Sequence, residues 1–399
     1  MSPRWVYPTV AGIFLVAGGG LVANFVGHDD SNTVARQPGV TVSAADTRYV
    51  TEARSFYDQV RLSLSPLLGH VQLIKTTLRQ ALEESETPSA SLADVVGPWV
   101  EDTATARDLV GRLIPPGRPE GAAVRDLYTA GAMLYLESVR TLARTPRITD
   151  AALRHETARS GLRIYDLADR VVDQAKRVLN LHGDLQLGEL TLPAEVPNFV
   201  AENLQSGATG PVSPEGAGFA DATGPQLRPR EWSAKFQPAL ARAMADQREA
   251  AGAYGPAPSP TATLLALAGR LDAAAAEIGT PVPDTPAGRE GLVALRLALL
   301  VESESLRVAA SPAQDGAPVM AGRIRLVGER LWGVGSELLA AAGVALPAGG
   351  IGDARLDPAL LREGGVFKGS PPPLRPGEPA DKGVPGGLRV PDPNKALNG

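Results

Sequence analysis

Pro119, Gly121, Glu137, Ser138 and Arg140 recur without a gap, at an offset of 167, as Pro286, Gly288, Glu304, Ser305 and Arg307. A second match follows at an offset of 160, where Arg163, Ile164, Asp169, Arg170, Leu179 and Gly183 correspond to Arg323, Ile324, Glu329, Arg330, Leu339 and Gly343. A chain that repeats itself must place both stretches in the same local conformation, so this recurrence constrains the fold more than any single motif. On a helix, Ile164, Leu167, Val171 and Val178 form one apolar stripe, and Ile324, Val327, Leu331 and Leu338 form its counterpart. Small residues seven apart accompany both stripes: Gly161, Ala168 and Ala175 in the first, and Ala321, Gly328, Gly335 and Ala342 in the second. They would let a neighbouring helix approach closely. An internal duplication is the reading adopted. Chance likeness between two Ala-, Arg- and Leu-rich helices is the alternative.

The duplicated stretches sit inside a longer helical pattern. Val50, Tyr57, Leu64, Val71 and Leu78 recur every seven residues, and Ala53, Val60, Leu67, Ile74 and Ala81 fill the second position of the same heptad. Leu68 and Leu82 widen that stripe beyond a two-strand seam, which favours packing in a bundle. The spacing predicts a helix over 46–84 with Asp46 as N-cap and a kink at Pro66. Further helices are predicted over 91–114, 119–143 and 150–182, and a second set begins at Trp232. The first helix of that second set matches the long heptad helix poorly, so the duplication is partial or has diverged. A brief alternation at Leu185, Leu187, Leu190 and Leu192 around Gly188 would suit a small hairpin.

Ahead of the helices, residues 5–27 carry no charge and include Trp5 and Tyr7 at one end. A spanning helix needs about 20 mostly apolar residues, and aromatic rings favour the headgroup boundary, so the stretch reads as a transmembrane anchor. Arg4 before it, and Asp29 and Asp30 after it, orient the body outside the cytoplasm. A signal peptide cleaved near Leu21-Val22-Ala23 is the alternative, leaving a secreted body. The expected organisation is an anchor over 1–27, a stalk over 28–45, a first helical bundle over 46–195, a linker over 196–231, a second bundle over 232–346 and a disordered tail over 347–399. In that tail Pro371, Pro372, Pro373, Pro376, Pro379, Pro385, Pro391 and Pro393 leave little to bury. The fold class is therefore all-α: a transmembrane helix followed by two related antiparallel bundles and a Pro/Gly-rich tail.

Composition excludes several chemistries. There is no cysteine, hence no disulfide, no cysteine-ligated metal and no cysteine-linked lipid. Six Lys stand against 33 Arg, a bias associated with GC-rich bacterial genomes. A net charge of -5 and an aromatic content of 5% argue against a nucleic-acid partner. His28, His70, His155 and His182 fit no metal-ligand spacing. Gly18-Gly19-Gly20 lies within the uncharged stretch and does not follow a strand, and no Gly-x-Ser-x-Gly elbow occurs. No catalytic residue, cofactor or metal is predicted.

Five ionisable residues stand out as interaction candidates: Glu137, Arg140, Glu302, Glu304 and Arg307. Both matched stretches place a carboxylate three residues before a guanidinium, so the pairs could form a site across a pseudo-two-fold axis. On an isolated helical wheel, however, Glu137 and Arg140 lie opposite the apolar centre, which reads as an exposed pair contributing about 0.2–0.5 kcal/mol. Glu302 occupies the position of Tyr135 and should point into the core, paired with an arginine such as Arg296, Arg323 or Arg325. The segment Pro373-Leu374-Arg375-Pro376 has the form read by polyproline-binding grooves, with a compliant spacer as the alternative. The role expected from these features is a membrane-anchored extracytoplasmic scaffold or protein-interaction module of a bacterial cell envelope. The alternatives are a helical sensor or small-ligand-binding protein acting through a membrane partner and, third, an envelope enzyme. The short segment before the uncharged stretch leaves no room for an output domain on the cytoplasmic side, so sensing would need a partner.

Overall fold

A computed structural model describes residues 44–83, 91–145, 148–181, 185, 225–253, 259–311, 317–344 and 346. The stretch 5–27, the candidate hairpin beyond Leu185, most of the expected linker and the Pro-rich tail lie outside the described residues. Among the described residues the protein is built from eight helices: α1 (Ala44–Glu83), α2 (Ser91–Arg112), α3 (Pro119–Arg144), α4 (Ala151–Leu179), α5 (Pro229–Ala253), α6 (Thr261–Glu277), α7 (Pro286–Ala309) and α8 (Ala317–Ala341). None of them is long and apolar enough to cross a membrane.

Local chemistry accounts for the helix ends. Asp150 caps α4 by accepting from the Leu153 amide at 2.8 Å, and Thr285 caps α7 by accepting from the Gly288 amide at 3.2 Å. Proline opens both α3 and α7, where its missing N–H costs nothing. Gly343 ends α8 with a φ of +79°, and the Val344 amide closes the turn onto the Leu339 carbonyl at 2.9 Å. The long first helix starts at Ala44, so Asp46 lies inside its first turn and is not its cap, and the helix continues through Pro66. The last residues of the expected linker, from 225 on, are described. Gln226–Leu227 (β1) pairs in parallel with Val282–Pro283 (β2), and α5 starts at Pro229. Two-residue strands have no periodicity to read.

Within each set the helices stack as antiparallel neighbours. Tyr49 near the start of α1 donates to the Leu179 carbonyl at the end of α4, while Leu78 near the end of α1 meets Gly161 near the start of α4. Helix α2 packs on α3, and α3 on α4; in the second set α6 packs on α7, and α7 on α8. The predicted stripes are buried throughout, with Ile164, Val171, Val178, Ile324, Val327 and Leu331 fully enclosed. Small residues set the closest approach. A Cβ added at Gly335 of α8 would stand 2.9 Å from the Gly291 carbonyl oxygen of α7, so those two backbones touch.

The two sets do not stand apart. The described residues from Ala45 onward form one compact unit in which α4 packs on α7 and α8 packs on α3. The centre is thus a four-helix bundle made of two hairpins, α3–α4 and α7–α8, with α1, α2, α5 and α6 on its flanks.

Candidate functional site

The polar layer between the two hairpins collects four of the five candidates. Glu137 on α3 accepts both Nε (2.6 Å) and Nη2 (2.8 Å) of Arg323 on α8, and Arg140 donates to the same carboxylate at 2.5 Å. Across the bundle Glu304 on α7 accepts Nε of Arg163 on α4 at 2.8 Å and the Ser160 hydroxyl at 2.9 Å, with Arg307 Nη1 at 3.7 Å. The match extends to neutral groups. Ser138 donates to the Gly161 carbonyl at 2.9 Å and Ser305 donates to the Ala321 carbonyl at 2.7 Å, so matched donors reach matched acceptors.

This corrects the wheel reading of Glu137 and Arg140 as a solvent-exposed pair. Glu137 and Glu304 are each only 2% exposed. The face opposite the apolar stripe is covered by the other hairpin, which an isolated helix cannot reveal. Glu304 and Glu156 hold the Arg163 guanidinium firmly charged against the cost of its burial. Such pairs lose hydration on burial, and their mutual attraction in the interior offsets it only with good geometry; the two-pronged Arg323–Glu137 contact provides that.

Glu302 behaves as expected in position but not in comfort. It is fully buried, and the nearest cation is Arg325 on α8, with Nε at 3.9 Å from Oε1. Neither carboxylate oxygen makes a hydrogen bond. Gln247, reaching in from α5, is also buried and interacts with the Glu302 carboxylate, though neither of its amide atoms completes a well-formed hydrogen bond. Burial pushes the Glu302 carboxyl up to about 7, against the pull of Arg325. Arg325 itself is drawn to Glu329 one turn further along, at 2.5 Å. At the matched places in the first set stand Tyr135, Tyr165 and Asp169. There the Tyr135 hydroxyl donates to Asp169 and its ring meets Tyr165 edge-on, with centroids 5.4 Å apart. Burial moves the Tyr135 hydroxyl well above the usual phenol range, so it stays a neutral donor.

Two participants escaped the sequence reading. Asp272 on α6 accepts from Arg307, and burial raises its carboxyl while Arg307 opposes the rise. Gln247 has no sequence signature at all. The cross-set partners Arg163 and Arg323 were visible as matched arginines; the signal that joins them to Glu137 and Glu304 is that both charges recur in both stretches.

Among the described residues no group of three or more His, Asp or Glu side chains is placed to hold a metal ion. His155 is half-buried on α4, far along the chain from the other described histidine position in α1; His28 and His182 lie outside the described residues. What the layer does chemically is fix two hairpins in register with buried charge. No protein-family model matches the chain, and neither does any curated protein or solved structure.

Proposed function

We propose that this chain is a membrane-tethered, extracytoplasmic helical scaffold of a bacterial cell envelope, built by internal duplication and presenting related surfaces to a protein partner. One observation carries the scaffold reading. The matched carboxylates Glu137 and Glu304, the best candidates for a site, are both committed to arginines of the opposite hairpin. Recruiting either for proton transfer or ligand binding would leave a buried guanidinium without its main partner, at a cost of about 3–5 kcal/mol. Groups so committed serve rigidity, and rigidity is what a scaffold requires. Helices α2 and α6 then pack on the matched helices α3 and α7 of one body, an arrangement suited to bivalent engagement. The uncharged stretch 5–27 supports the tether.

Topology is tested with single cysteines placed at Ser31, Ser206 and Ser370 in this cysteine-free chain and an impermeant thiol reagent on intact cells. Labelling at all three before lysis is expected; labelling only after lysis would refute an exported body. The partner is sought by crosslinking from cysteines at Leu62 on α1 and Leu265 on α6, two of the exposed large apolar residues. A defined envelope protein captured from both positions is the expected result, and none from either would refute the scaffold.

A further inference from the structure

The two cross-set ion-pair layers differ most sharply at the place of Asp272, and that difference marks a site. Helix α6 follows α2 at an offset of 165, because buried Trp99, Thr103, Ala106, Leu109, Val110 and Leu113 correspond to buried Leu264, Ala268, Leu271, Ala274, Ala275 and Ile278. In this register Arg107 stands where the second set has Asp272. Around Arg307, therefore, lie two carboxylates, Glu304 and Asp272. Around its counterpart Arg140 lies one, Glu137, which is already shared with Arg323, and the register position of the second carboxylate belongs to Arg107 on α2.

Arg107 is held by Asp108, a half-exposed neighbour on its own helix, at 2.7 Å. Arg140 makes its one contact among described residues through Nη1 to Glu137, and its side chain keeps 17% of its surface open to solvent. Burial chiefly lowers the Arg140 pKa against the pull of Glu137, and the Arg323 and Arg107 charges act in the same direction as burial. Next to them Met320 replaces the matched Ser160; it offers Arg144 a thioether sulfur at 3.8 Å in place of a hydroxyl.

We propose that Arg107 and Arg140 bind an oxyanion, a carboxylate or a phosphate, which occupies the place that the Asp272 carboxylate fills in the second half of the molecule. The inference goes beyond the scaffold reading and depends on neither anchor nor partner. Planar guanidinium groups with free N–H donors match the paired oxygens of either anion, and a partly desolvated setting strengthens the contact.

The test is calorimetric titration of the full-length chain in detergent with inorganic phosphate and, separately, with succinate, at ionic strength held constant with chloride. Saturable binding of one anion per chain is expected for at least one probe; the tighter probe identifies the chemistry. Arg107→Asp supplies the missing carboxylate internally and should abolish binding while the helical circular dichroism is kept. Arg107→Gln guards against a folding defect and should weaken binding about tenfold or more, as expected for the loss of a charged hydrogen bond. No response beyond chloride in the native chain, or unchanged binding in either folded variant, would overturn the proposal.

Discussion

Tyr135, Tyr165 and Asp169 on α3 and α4, and Glu302, Arg325 and Glu329 on α7 and α8, occupy matched places on two pairs of helices. The first triplet solves burial with rings: the tyrosine body fills space and its hydroxyl is satisfied by Asp169. The second holds a carboxylate whose oxygens go without hydrogen bonds beside an arginine that leans toward another acid. One backbone thus carries an aromatic answer on one side and an ionic one on the other. The surrounding stripes are alike, so the difference belongs to these side chains rather than to the helices that present them. The comparison also separates the two halves electrostatically, because the first places Arg107 where the second has the Asp272 carboxylate, and the second buries an acid at Glu302.

The largest effect should come from breaking what the halves share. Glu137→Ala, or Glu304→Ala, removes the main acceptor of a buried arginine and is expected to cost about 3–5 kcal/mol in denaturant unfolding. If the pairs are reciprocal, each loss should be of similar size. The double variant Glu137→Ala with Arg323→Ala should then cost less than the sum of its parts by about 0.5–3 kcal/mol. Strict additivity would show that the pair is incidental.

A smaller effect separates the halves by pH. The Glu302 carboxyl is raised in the folded protein to about 7 from its ordinary value near 4.5, so the folded state holds the proton more tightly than the unfolded chain. Its contribution is therefore most favourable below about pH 4.5, declines as pH rises toward 7 and is flat beyond. A shift of that size corresponds to about 3 kcal/mol. Asp272, Glu290 and Glu329, also raised by burial, tilt the profile in the same direction. Unfolding free energies measured between pH 5 and 8 should fall, and Glu302→Gln should flatten most of the slope. Tyr135→Phe, at the matched place, should leave the slope unchanged. An equal slope in the Glu302→Gln protein would remove the asymmetry.

The smallest effect tests the likeness. Ser138→Ala and Ser305→Ala each delete one donor to a carbonyl on the next helix, and each should cost about 1 kcal/mol. Unequal losses would indicate that the two hairpins are packed less alike than their hydrogen bonds suggest.

How much of this was legible depended on whether the signal was local. The stripe through Ile164 and Val171 follows from helical period alone, whereas the N-cap expected at Asp46 falls inside the first turn of a helix that starts at Ala44. Glu302 was readable as buried, and Arg325 as one of its three candidate partners, because its place on the wheel coincides with a tyrosine. Glu137 was misread since a wheel shows one helix, and the surface covering it comes from α8, nearly two hundred residues downstream. The pairing of β1 with β2 escaped for a related reason: each strand has two residues, too few for any alternation.

The crossed pairs Glu137–Arg323 and Glu304–Arg163 have the geometry of an isologous interface, in which a patch on one unit meets the corresponding patch on its twin. Here both units lie on one polypeptide. Association that would otherwise depend on protein concentration becomes an intramolecular event, and the assembly persists however dilute the chain. A true homodimer would have to carry every substitution twice. Two matched halves on one chain are free to differ, so Arg107 stands on one side where Asp272 stands on the other, and a near-symmetric frame carries a single unsymmetric face.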